Sequence, residues 1–224
     1  FDRALFGHIG FSISNFFRAL WLGLSNSAFS ASPYADATAK YYKQMNRYSA
    51  ALALMSDVAM GTMGGDLKRR ERISARLGDM LSMLYLTSAV LKRYNDDGRP
   101  AQDLPLVQWA CEDNMYKAQV ALDEMLDNFP NRIVGSVLGK LLFPWGRTLR
   151  KPSDQLDHQV SRIMQTPCEA RSRLATNVYL TLEPNNQIGL IEKALTDILA
   201  AEPIFDKVVH AANKRLPFFR LHEV

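Results

Sequence analysis

Between Pro33 and Tyr94 the chain carries two long apolar stripes, separated by the adjacent glycines Gly64 and Gly65. The first stripe is Tyr41, Met45, Tyr48, Leu52, Met55 and Ala59; the second is Ile73, Leu77, Met80, Leu84 and Leu91. Steps of four and three set such residues along one side of an α-helix. Two helices joined by a glycine pair fold back as an antiparallel hairpin. Neither stripe is buried by its own helix, so the hairpin at about 34–94 predicts a helical bundle. Ser88 falls on the second stripe, where its hydroxyl can bond back to the carbonyl four residues earlier. Alternating β-branched runs are absent, and the expected fold class is all-α.

The helix ends are read from local chemistry. Pro33 suits the start of the first hairpin helix, and Asp66 is expected to cap the second. A further helix is expected over about 103–128, capped by Asp103 with Pro105 in its first turn. Its stripe is Val107, Cys111, Met115, Ala118, Leu122 and Met125. Phe129-Pro130 ends it. Shorter C-terminal helices are expected near 133–145, 154–165, 168–178, 189–201 and 203–216, with Pro167 and Pro203 as breaks. The expected organisation is an amphipathic first helix (1–30), a bundle core (31–130), and shorter helices of the same domain (131–224).

The first helix has Phe6, Ile9, Ile13, Phe16, Leu20 and Leu24 along one side, with His8, Ser12, Asn15 and Arg18 away from it. From Ala4 to Ala31 the sole formal charge is Arg18. A transmembrane reading is disfavoured, because Arg18 inside a span costs roughly 2.5–3.5 kcal/mol. A helix lying in a membrane surface, or packed on another domain, is expected instead. The segment Ile133–Lys151 combines Leu138, Leu141, Leu142, Phe143 and Trp145 with Lys140, Arg147, Arg150 and Lys151. It reads equally as an interfacial helix or as a core helix with solvated ends. The candidate membrane-facing residues are Phe6, Phe16, Phe17, Trp21, Leu142, Phe143 and Trp145. The chain opens on Phe rather than Met, which suggests a piece of a longer protein, and the balance of Asp2 against Arg3 argues against a signal peptide.

The net charge of +4 is unevenly spread. Lys68, Arg69, Arg70, Arg72 and Arg76 crowd into one short run, while the 103–128 helix is acidic. This is not the uniform basic excess of a nucleic-acid binder. The glycine pair is not a phosphate loop: the glycines are adjacent, no strand precedes them, and the Lys-Ser/Thr ending is missing. The cations sit where a helix dipole disfavours them. They are expected to meet the acidic helix or solvent, or else another domain or an anionic cofactor tail. Lys68, Arg69, Arg70 and Arg72 are therefore candidate interdomain or anion contacts.

Cys111 and Cys168 lack a CxxC spacing and are read as free thiols. The four histidines show no ligand pairing, and no metal site is expected. Asp157 beside His158, and Glu112 beside Asp113, are adjacent on helices and so point apart. No GxSxG elbow occurs. No catalytic residue is expected within this segment.

Taken together, "FDRALFGHIGFSISNFFRALWLGL" (1–24), "GGDLKRRERISARLGDMLSMLYLTSAVLKRY" (64–94), "DLPLVQWA" (103–110), "NFPNR" (128–132), "PSDQLDHQVSRI" (152–163) and "LPFFRL" (216–221) resemble the C-terminal domain of the large bacterial acyl-CoA dehydrogenase of fatty-acid β-oxidation. "RISARLGDMLSMLYL" is also similar, more weakly, to the helical domain of mitochondrial very-long-chain acyl-CoA dehydrogenase. The resemblance implies an enzyme whose FAD takes a hydride from the β-carbon of a fatty acyl-CoA while a glutamate takes the α-proton, giving a trans-2-enoyl-CoA. In the family that glutamate precedes a glycine. None of the eight glutamates here does so, and the base and most flavin contacts are expected upstream of Phe1. The resemblance also implies upstream catalytic domains, an electron-transfer flavoprotein or similar acceptor, a homo-oligomer, and a cytoplasmic location peripheral to the inner membrane. The segment's own role is then structural docking with membrane contact. A reading of a different class is a free-standing helical adaptor that binds a membrane surface or a partner helix.

Overall fold

The structure is a computed structural model that describes residues 2–215, without the side chains of residues 4, 5 and 213–215. The block LPFFRL at 216–221 lies outside the described residues, as does His222. Among those described there are eight α-helices and no strand. The chain divides into two compact units, Phe1–Val160 and Ser161–Val224.

The first unit holds α1 (Asp2–Leu24), α2 (Ala39–Met63), α3 (Glu71–Asp96), α4 (Leu104–Asp127), α5 (Arg132–Leu142) and the start of α6 (Asp154–Gln165). Tyr41 at the start of α2 clusters with Leu91 and Tyr94 at the end of α3 and with Val107 and Cys111 at the start of α4. Adjacent helices are therefore antiparallel. Their apolar stripes merge into one larger cluster that includes Tyr48, Met55, Ile73, Met80, Leu84, Met115 and Leu122. The most extensive pairing is α3 with α4, followed by α1 with α2. The stripes of α2, α3 and α4 face inward, although Met45, Leu52 and Leu77 are only partly buried. On α2 the buried surface is widened by Ala50, Ala51 and Leu54.

Two buried polar groups fix the connections. Gln119 accepts from the Tyr48 hydroxyl at 3.2 Å and from the Leu149 N–H at 3.0 Å, and it donates to the Leu149 carbonyl at 3.1 Å. It thereby holds the segment after α5 across the bundle. Arg47, 5% exposed, donates to the Leu142 carbonyl at 2.9 Å and to the Asn26 side chain. Its pKa is lowered by loss of solvent, because no carboxylate accompanies it into the core.

Several helix ends differ from expectation. Helix α2 begins at Ala39 rather than near Pro33, because the Asp36 carboxylate accepts from the Thr38 N–H and hydroxyl just before it. These two bonds, the hydroxyl's first, hold the Asp36 carboxyl below the usual carboxylate range. Asp66 does not cap α3. Gly64 turns the chain at a φ of 52°, Gly64–Arg69 forms a 3₁₀ turn, and Asp66 pairs with Arg69 at 2.6 Å. Asp103 sits at the N-cap of α4, but no side-chain bond caps that helix. Ser88 bonds back to Tyr85, three residues earlier, at 2.7 Å. The fully buried hydroxyl is its neighbour Thr87, which reaches Met83 at 2.8 Å.

The second unit contains the rest of α6, then α7 (Glu169–Leu174) and α8 (Gln187–Arg215). Pro203 does not break α8; the helix is continuous where two were expected. A proline removes one backbone bond, and here the strong helix formers Leu199, Ala200, Ala201 and Glu202 precede it. Arg171 of α7 holds Glu192 of α8, which keeps the Glu192 carboxyl below its usual range.

Both cysteines are free. Cys111 is completely buried, and loss of solvent, then Glu112, push its thiol up to about 12. The native protein at pH 8 is thus expected to incorporate one iodoacetamide label per chain, at partly exposed Cys168. Denatured protein should take two. Intact mass before and after urea checks this, and native labelling at Cys111 would contradict the packing described.

Candidate functional site

The largest contrast between expectation and structure is on α1. The residues turned into the bundle are Asn15, Ala19, Leu22 and Gly23, whereas Phe6, Ile9, Ile13, Phe16 and Leu24 of the expected stripe are exposed. The helix is apolar nearly all round, so closeness of approach, rather than oiliness, decides which side packs. At Gly23 an added Cβ would lie 2.9 Å from the Leu141 carbonyl; only glycine admits α5 there. Asn15, expected to lie away from the packed side, is buried, with its Nδ2 lacking a partner among the described residues.

The outcome is an uncovered apolar surface. Phe6 is 70% exposed, and Phe17 and Trp21 are also open to solvent. Phe16 is the least open of them, at 38%. Phe29, in the small-residue loop after α1, stacks on Trp21 with ring centroids 6.1 Å apart. Trp145 is 68% exposed and donates from its indole N–H to the Leu24 carbonyl at 2.8 Å. It therefore joins the same end of α1. Leu142 and Phe143 do not: at 3% and 5% exposure they are core residues beneath α1 and beside α4. They do not face outward as their composition led us to expect, because α5 ends at Leu142 with its apolar side on the bundle. Phe11, Ile133 and Val137, not singled out by spacing, are exposed as well.

The second feature is basic. Arg69, Arg70, Arg72 and Arg76 line an open cleft of about 450 Å³ at the start of α3, with Asn128 from the end of α4. The acidic helix meets only part of this run: Arg76 reaches Glu124 at 3.3 Å. Lys68 stands on the same 3₁₀ turn, outside the cleft lining.

The carboxylates considered for catalysis have structural partners. Glu112 accepts from the Tyr41 hydroxyl at 2.9 Å and from Lys40 at 2.8 Å. Burial first, and Glu112 second, push the Tyr41 phenol far above its usual range. Asp113 pairs with Lys117 at 2.6 Å, and Asp157 accepts from the Trp109 indole. Among the described residues, no group of three His, Cys, Asp or Glu could hold a metal ion. No described helix is long and apolar enough to cross a membrane.

The family model for the C-terminal region of bacterial-type acyl-CoA dehydrogenases matches residues 1–224. The chain belongs to that family. No solved structure matches it. In this acyl-CoA dehydrogenase C-terminal domain the uncovered apolar surface lies on α1 and the basic cleft at the start of α3.

Proposed function

We propose that this domain is the structural C-terminal part of an FAD-dependent enzyme of fatty-acid β-oxidation, and that α1 is its docking element. The observation that supports this is the run of exposed Phe6, Phe17, Trp21 and Phe29, together with Trp145. An uncovered apolar surface of this kind marks a contact with another body. The upstream catalytic domains of the same enzyme are the first candidate. A second reading, peripheral contact with the inner membrane, draws on the pair of exposed tryptophans at the α1 end, since indoles favour the headgroup level of a bilayer.

In this reading the flavin is held by the upstream domains. The void bounded by Ala19, Arg47, Tyr48, Leu122 and Phe143 holds about 10 Å³, no more than a water. The larger hollows are open grooves with charged walls, such as that lined by Asp127, Arg132, Lys140 and Arg147. No step of the dehydrogenation is assigned to these side chains. The 224-residue chain expressed alone is expected to bind no flavin and to oxidise no acyl-CoA. A yellow preparation that reduces an electron acceptor with acyl-CoA would overturn the proposal.

A further inference from the structure

We propose that the cleft between the start of α3 and the end of α4 binds a phosphate-bearing anion. Arg69, Arg70, Arg72 and Arg76 line it, and the one acidic residue in its lining is Glu71. The neighbouring elements meet two of the four arginines. Glu124 of α4 engages Arg76, and Asp66 of the preceding turn engages Arg69. The Arg69–Asp66 pair is exposed on both sides, and Glu124 is exposed although Arg76 is partly buried; solvent screens such pairs, so an arriving anion can compete for these arginines. Asp127 of α4 lines the adjoining groove with Arg132, Lys140 and Arg147. Arg70 and Arg72 are exposed and meet no carboxylate among the described residues.

The backbone beneath these arginines is firmly held. Ile73 is 5% exposed within the main core cluster, so the first turn of α3 is anchored to the bundle. No side chain caps that turn. Cations at this end of a helix are disfavoured by its dipole, and their mutual repulsion at close range adds to that cost. An arriving anion relieves both. Guanidinium forks match phosphate oxygens two at a time, which favours a phosphate over a single carboxylate. Two arginines without a carboxylate partner, beside two that are paired, suit a phosphomonoester or a diphosphate.

Two sources supply that chemistry, a soluble phosphate ester and an anionic lipid headgroup, and the test separates them. The full-length protein would be titrated calorimetrically with inorganic pyrophosphate at low ionic strength. It would also be co-sedimented with phosphatidylglycerol vesicles and with phosphatidylcholine vesicles. Each measurement would be repeated on Arg70→Gln/Arg72→Gln, and on Lys92→Gln/Lys117→Gln as a control that removes equal charge elsewhere. The arginine variant is expected to weaken binding of at least one anionic probe by about tenfold or more, and the lysine control by less than about twofold. Loss with pyrophosphate identifies a soluble ester, and loss with phosphatidylglycerol identifies a lipid headgroup. The proposal is overturned if the wild type binds neither probe, if the arginine variant binds both as tightly as the wild type, or if the lysine control weakens binding equally.

Discussion

Gly135→Ala is expected to destabilise the protein by about 2–3 kcal/mol, lowering the thermal midpoint by roughly 5–10 °C. Helix propensity alone gives the opposite sign, since alanine is better than glycine inside a helix by about 1 kcal/mol. Packing decides. Helix α5 crosses the end of α4 so closely that a Cβ at Gly135 would lie 2.7 Å from the Leu126 carbonyl and 3.1 Å from Phe129 Cβ. A backbone carbonyl cannot swing aside as a flexible side chain can. The helices must part, and Leu138 and Leu142, which α5 buries, would lose their cover. Gly139→Ala, one turn along the same helix, supplies the contrast. Nothing lies within 4 Å of its added Cβ, so a gain of about 0.5–1 kcal/mol is expected. Thermal unfolding of the two variants side by side checks the sign of both, and stabilisation of Gly135→Ala would show that α5 is seated differently.

Met55→Ala is expected to cost about 3 kcal/mol, within the range for large-to-small changes in a core. Met55 has no solvent exposure and lies where α2 faces the stripes of α3 and α4. Truncating it removes a flexible side chain from a closely packed interior and leaves a hole that the bundle fills incompletely. Leu52, three residues earlier on the same predicted stripe, is only partly buried; Leu52→Ala should cost about 1 kcal/mol. Urea midpoints at unchanged slope read the difference directly. Equal losses at the two positions would mean that α2 is rotated from the orientation described.

The bundle was readable because α2, α3 and α4 each carry a narrow apolar stripe against polar flanks. Tyr48, Met55, Met80, Leu91, Met115 and Leu122 could point only one way, and they are all buried. Helix α1 carries no such contrast. With apolar residues around most of its circumference, spacing marked the bulkiest side as the packed one, while Ala19 and Gly23 set the true contact by their smallness. Leu142 and Phe143 share a composition with Trp145, so the sequence pattern grouped them; the end of α5 falls between them and places two inside and one outside. Asp66 had the right chemistry for a cap, but Gly64 delayed the helix by a turn. The basic cleft was half legible. The run of cations is plain in the sequence, whereas the approach of Asn128 from α4 depends on the fold.

The manner in which Arg47 is held has a consequence for acid tolerance. Its charge is met by the Leu142 carbonyl, at the end of α5 where peptide dipoles carry partial negative charge, and by an amide oxygen of Asn26. Neither acceptor takes up a proton at mildly acidic pH. The polar tie between α2 and α5 therefore persists even at the low pH where carboxylate-based ties are neutralised, including that of Asp36 with Arg99, whose carboxyl is held below the usual range.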